Sequence, residues 1–102
     1  MSKWMKVART ADLAPGQGKT VRVGAIEIAL FNAGATFFAV ANACCHRGGP
    51  LGEGELDGTI VTCPWHGWQF DMTTGESIDH PGASVPTYHT EVREGEVYLE
   101  LP

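Results

Sequence analysis

Apolar positions in this chain alternate with polar ones over short stretches and never settle into a helical period. Ile26, Ile28 and Leu30 alternate with Glu27 and Ala29, the period-two pattern of a half-buried strand. Val21 and Val23 alternate in the same way just before Gly24, and residues 4–8 form an earlier strand candidate. Asn32-Ala33-Gly34 reads as a hairpin turn leading into a β-rich run over residues 36–41. Asp57-Gly58, set between Glu55-Leu56 and residues 59–62, is a tight-hairpin signal. A short strand is predicted over 68–71, and residues 88–93 and 96–101 pair around Glu94-Gly95. About nine short strands and no helix predict an all-β fold, an antiparallel β-sandwich or small barrel.

Three stretches break the alternation, at 42–54, 63–67 and 79–86, and these read as irregular loops. Their glycines and prolines belong to a chain of 102 residues with 13 Gly and 6 Pro, which favours turns and short strands. That length predicts a single domain, residues 1–102, with a core small enough to profit from a staple such as a metal.

Charge is uneven: residues 1–47 carry +4 and residues 48–102 carry −9, together the net −5. No basic cluster suited to a phosphate backbone is present, so nucleic-acid binding is not expected. The acidic half is suited to steering a basic protein partner. No apolar run approaches the roughly 18 residues of a membrane span, and the N-terminal residues lack a signal-like apolar stretch. A cytoplasmic protein with no membrane attachment is expected, most simply a monomer. Three cysteines, Cys44, Cys45 and Cys63, in such a chain point to metal ligation or a free thiol rather than disulfides.

The candidate chemistry sits in the first two irregular loops. Cys44-Cys45-His46 and Cys63-Pro64-Trp65-His66 make a C-x-H box and a C-x-x-H box, separated by 16 residues. The predicted hairpin between them returns the chain, so the boxes can converge without a long loop to order. Two soft thiolates and two imidazoles suit zinc, and equally a two-iron, two-sulfide cluster with two Cys on one iron and two His on the other.

The segment from Cys44 through His46, Gly48 and Leu51, then Cys63-Pro64, His66-Gly67 and Phe70, resembles the Rieske iron–sulfur signature. The family pattern is C-x-H-x-G-x-x-L, a spacer, then C-P-x-H-G-x-x-F. The resemblance implies a Rieske-like antiparallel β-fold in which two loops, within about 42–86, form a cluster-binding subdomain. It implies one [2Fe-2S] cluster, with Cys44 and Cys63 on the inner iron and His46 and His66 on the outer, more exposed iron. Gly48 and Gly67 would let backbone amides approach the sulfurs. The proline-containing loop 80–86 is similar in position to the one that shields the cluster in the family. Cys45 departs from the pattern and is expected not to be a ligand. It has no partner for the disulfide of the respiratory branch, because Trp65 stands where the second cysteine would be.

Respiratory members place Ser and Tyr two and four residues beyond the last His ligand, where this chain has Trp68 and Phe70. Without those hydroxyls the potential is expected in the lower part of the Rieske range, roughly −200 to 0 mV. Rieske oxygenases add a domain with a two-His, one-carboxylate iron site, and only His80 and His89 are left over here. The resemblance therefore implies a non-catalytic Rieske ferredoxin, carrying single electrons from an NAD(P)H-dependent reductase to a terminal oxygenase. Two alternatives are a redox subunit similar to the nitrite reductase small subunit, and a zinc-stabilised binding module without redox chemistry.

Overall fold

The alternating stretches fold as strands. The computed structural model describes residues 3–34, 36–43, 49–65 and 67–101. Ten strands are present among these residues: β1 (Lys3–Arg9), β2 (Gly18–Val23), β3 (Ile26–Asn32), β4 (Phe37–Ala41), β5 (Glu55–Asp57), β6 (Ile60–Thr62), β7 (Gln69–Asp71), β8 (Thr87–Tyr88), β9 (Thr90–Arg93) and β10 (Glu96–Leu101). Short 3-10 turns at Thr10–Asp12 and Leu51–Glu53 complete the regular structure. Every strand pairing is antiparallel, in three sheets ordered β1-β10-β9, β2-β3-β4-β8 and β5-β6-β7. The expected antiparallel all-β architecture is what the chain adopts. Among the described residues no helix is long and apolar enough to cross a membrane.

The middle sheet is shared between two cores. Ile28 and Leu30 of β3 enter one core with Val21, Phe37, Val97 and Leu99, which joins this sheet to β1-β10-β9. The alternate residues Ala29 and Phe31 enter a second core with Val40, Leu51, Val61 and Phe70, which joins the same sheet to β5-β6-β7. β3 is therefore buried on both faces from Ile28 onward, not half-buried as the Ile–Glu alternation predicts. Its Ala29 and Phe31 are covered because the third sheet packs on the face that would otherwise meet water. Each large side chain buried this way is worth roughly 1.5–3 kcal/mol.

Two local features also differ from the sequence expectation. Residues 88–93, expected as one strand, divide at His89. Thr87 and Tyr88 pair with β4, whereas 90–93 pair with β10, so the chain crosses from one sheet to another at that point. The hairpin turn between the Cys–His boxes is Gly58-Thr59, because Asp57 is already paired with Ile60. Gly58 takes φ 64 at the first turn position, which keeps Asp57 in the ladder and moves the turn one residue on.

Candidate metal centre

Both boxes hang from strands that the second core holds in place. The first leaves the end of β4. Asn42, 6% exposed, follows that strand directly. Its amide donates to Glu27 O (3.0 Å), and its carbonyl accepts from Leu51 N (2.8 Å). Its side-chain Oδ1 accepts from Gly52 N (2.8 Å) and from the Thr20 hydroxyl (3.1 Å). An antiparallel bridge between Ala43 and Pro50 lies just above. Asn42 thus ties the two ends of the first loop to each other and to β2 and β3. Cys44, Cys45, His46 and Gly48 themselves lie outside the described residues.

Nothing in the local sequence marks Asn42, because its partners are set by the meeting of β2, β4 and the Leu51–Glu53 turn. Asn42→Ala leaves the buried Gly52 amide without its acceptor, and is expected to cost about 2 kcal/mol. Denaturant unfolding of the two proteins checks this. A loss below roughly 0.5 kcal/mol would show that water replaces the side chain.

The second box follows β6. The amide of Cys63 donates to Trp68 O (2.8 Å), and the amide of Gly67 donates to Cys63 O (3.0 Å), closing the turn that carries the box. Cys63 forms no disulfide among the described residues and is 2% exposed, within the second core. His66 lies outside the described residues. Gly67 takes φ 76, the left-handed region, and a Cβ there would meet no described atom within 4 Å. Its requirement is therefore conformational.

Close approach belongs instead to Gly49, which the sequence did not single out. A Cβ on Gly49 would lie 2.7 Å from Cys63 Sγ and 3.1 Å from Trp65 Cγ. The backbone leaving the first box therefore lies against the sulfur of the second. The two loops converge, as the return hairpin requires.

The two tryptophans separate in role. Trp65 is 57% exposed beside Cys63, whereas Trp68 is half-buried and packs against the second core. The Trp68 ring is stacked on His80 of the third loop, with centroids 3.5 Å apart and planes 8° from parallel. That loop is held against the preceding turn by Ser77 N to Ala83 O and Val85 N to Gly75 O, and Val85 reaches the second core. A cleft of about 390 Å³ is lined by Cys63 together with Glu53, Glu55, Thr62 and Pro64.

Among the described residues near the box, Asp79 has the strongest electrostatic perturbation. Partial burial acts to raise its carboxyl, but hydrogen bonds from His80, from the Gln69 amide and from the Ser77 hydroxyl outweigh this and hold it at about 2, against an ordinary 3.8. A depressed carboxylate contributes stability that is complete above about pH 4 and is lost as pH falls toward 2. The difference in thermal midpoint between wild type and Asp79→Asn should stay constant down to about pH 4 and close below it. A difference that shrinks between pH 7 and 5 would contradict this assignment.

A Rieske [2Fe-2S] domain model matches residues 3–89. The chain belongs to the Rieske iron–sulfur family. It is 40% identical over 99 residues to ferredoxin CarAc of Metapseudomonas resinovorans, covering 94% of this chain and 92% of that one. It is 33% identical over 94 residues to the 3-phenylpropionate/cinnamic acid dioxygenase ferredoxin subunit of Escherichia coli K12, covering 90% and 88%. Among solved structures, a chain in the complex of reduced oxygenase and oxidized ferredoxin in carbazole 1,9a-dioxygenase superposes with a TM-score of 0.86. That match has 39% identity and covers 94% of this chain and 91% of that one.

Family membership makes the cofactor a Rieske-type [2Fe-2S] cluster. The described residues fit that group. Cys63 would supply a soft donor just beyond the end of a strand, in an apolar setting that limits water. Gly49 leaves a space beside its sulfur that any side chain would fill.

Proposed function

We propose that this protein is the ferredoxin of a multicomponent dioxygenase system, accepting single electrons from an NAD(P)H-dependent reductase and passing them to a terminal oxygenase. The observation that carries this reading is the nearly end-to-end match with two dioxygenase ferredoxins, which leaves little of either relative's length unmatched. Residues 1–102 then act as one iron–sulfur unit, with the cluster-binding portion at about 42–86. Cys44 and Cys63 are assigned to the inner iron, and His46 and His66 to the outer iron; the motif spacing and the burial of Cys63 support this set. The protein is assigned to the cytoplasm as a monomer.

The bound cluster supplies reversible one-electron chemistry. The chain's own residues govern where it is held and what surrounds it. Cys63 anchors one side from within the second core, and Asn42 closes the neck of the opposing loop. Trp65, exposed next to Cys63, offers an apolar contact for a docking partner. Glu53 and Glu55, in the cleft that Cys63 also lines, place negative charge where it opposes an added electron. Together with the missing hydroxyls at Trp68 and Phe70, this favours a midpoint of roughly −200 to 0 mV. Potentiometric titration giving a value well above zero would contradict it.

The relay itself is tested by mixing the purified protein, without oxygen, with NADH and the reductase of a dioxygenase system, then adding the oxidised oxygenase. Bleaching of the visible band by about one electron per chain, and its recovery on addition of the oxygenase, is the expected result. A colourless protein holding a single zinc ion would overturn the reading.

A further inference from the structure

His80 is not part of the Rieske signature, yet it makes a set of contacts directed at the second box. Its ring lies flat on Trp68, with centroids 3.5 Å apart. Its Nδ1 lies 2.9 Å from Asp79 Oδ1. A carboxylate only accepts, so Nδ1 carries the proton in this contact. The same Asp79 oxygen accepts from the Gln69 amide (3.2 Å) and from the Ser77 hydroxyl (2.9 Å). Ser77 Oγ in turn accepts from the His80 amide (3.1 Å), and the Ile78 amide donates to Gln69 O (3.0 Å). Residues 68 and 69 are thus gripped by the third loop twice, at the Trp68 ring and at the Gln69 backbone.

Trp68 closes the second box, since its carbonyl accepts the amide of Cys63. Whatever fixes Trp68 fixes the far end of the turn that starts at Cys63 and contains His66. The stack is not needed to fill a core: His80 and Asp79 have side chains 41% and 37% exposed. A histidine and an aspartate held at the surface in this defined arrangement have the box as their nearest beneficiary.

We propose that His80 is a positioning residue for the metal centre: stacked on Trp68 and oriented by Asp79, it clamps the second Cys–His turn to the third loop and so sets the potential and the lifetime of the bound cluster. This rests on the assignment of Cys63 and His66 as ligands. With the clamp released, the Trp68 end of the turn loses one of its restraints and water reaches the turn more readily. Water stabilises the more negatively charged, reduced form, so the potential rises.

The test uses holo-protein carrying His80→Ala and, separately, His80→Phe, which keeps a ring on Trp68 but cannot bond Asp79. Three readouts are compared with wild type: the reduction potential, the half-life of the visible band under an iron chelator, and hydrogen exchange in a peptide spanning 60–68. His80→Ala is expected to raise the potential, shorten the half-life about three- to tenfold and speed exchange at the Cys63 amide. His80→Phe should recover most of the half-life. If His80→Ala cannot be loaded, loading of His80→Phe with a near-normal half-life supports the clamp, and failure of both variants alike overturns it. A His80→Ala protein with wild-type potential, half-life and exchange also overturns it. A wild-type protein without iron would instead strike at the ligand assignment, so the two failures are distinct.

Discussion

Replacing Cys63 by alanine is expected to reduce the iron and sulfide content of the purified protein to background and to abolish its visible absorbance. Cys63 is 2% exposed and belongs to the second core with Val61 and Phe70. Without metal a buried cysteine is merely a small apolar side chain, and alanine would replace it at modest cost. As a cluster ligand it carries far more. Outer-shell replacements at metal sites cost about 10–100-fold in affinity, so loss of a direct thiolate should cost at least about 100-fold. Binding that favours only the folded chain also contributes to stability, so unfolding should come earlier by about 3 kcal/mol or more. His89→Ala is the control, because among the described residues its one hydrogen bond is accepted by its backbone carbonyl, from Glu100 N, and its side chain makes none. Metal analysis, absorbance and thermal unfolding of both variants check this. Cys63→Ala protein that keeps its colour would remove Cys63 from the ligand set and direct attention to Cys45.

Gly49→Ala is expected to be the next most damaging single change at the centre. The added methyl would stand 2.7 Å from Cys63 Sγ, closer than real contacts allow, and 3.1 Å from Trp65 Cγ. The exposed Trp65 ring can move aside. The sulfur has less freedom, because Cys63 is 2% exposed and packs in the second core. Overpacking of this kind costs about 1–3 kcal/mol, and here the strain falls on a metal donor. Lower cluster content together with an altered visible spectrum is the expected outcome. Gly67 provides the contrast. Its φ of 76 suits asparagine tolerably, and no described atom is in the way, so Gly67→Asn should be the milder change. If Gly49→Ala loads normally while Gly67→Asn does not, the first loop lies farther from Cys63 than the structure places it.

How much of this was legible beforehand depended on the range of the physics involved. The strands were readable because alternation is local: Val21, Val23, Ile28 and Leu30 face one core, on the antiparallel pair β2 and β3. The second face of β3 was not, since Ala29 and Phe31 are covered only when β5-β6-β7 packs against them. The break at His89 was hidden for a similar reason. Residues 87–93 have one continuous β pattern, and only the positions of β4 and β10 decide where the chain changes sheets. At the centre, the spacing of the two boxes and the resemblance they carry nominate Cys44, His46, Cys63 and His66, of which only Cys63 lies among the described residues. Asn42, Gly49 and His80 escaped notice because each acts on a neighbour brought in by the fold. Gly49 needed the Cys63 sulfur, and His80 needed Trp68, before either had a discernible role.

The central claim is a cluster with two unlike irons, one held by Cys44 and Cys63 and the other by His46 and His66. Mössbauer spectroscopy of the oxidised, iron-57-enriched protein addresses it directly. Two quadrupole doublets of equal area are predicted, one with the parameters of an all-sulfur site and one shifted by imidazole nitrogen. A single doublet from two equivalent all-sulfur irons, or a protein that holds no iron, would contradict it.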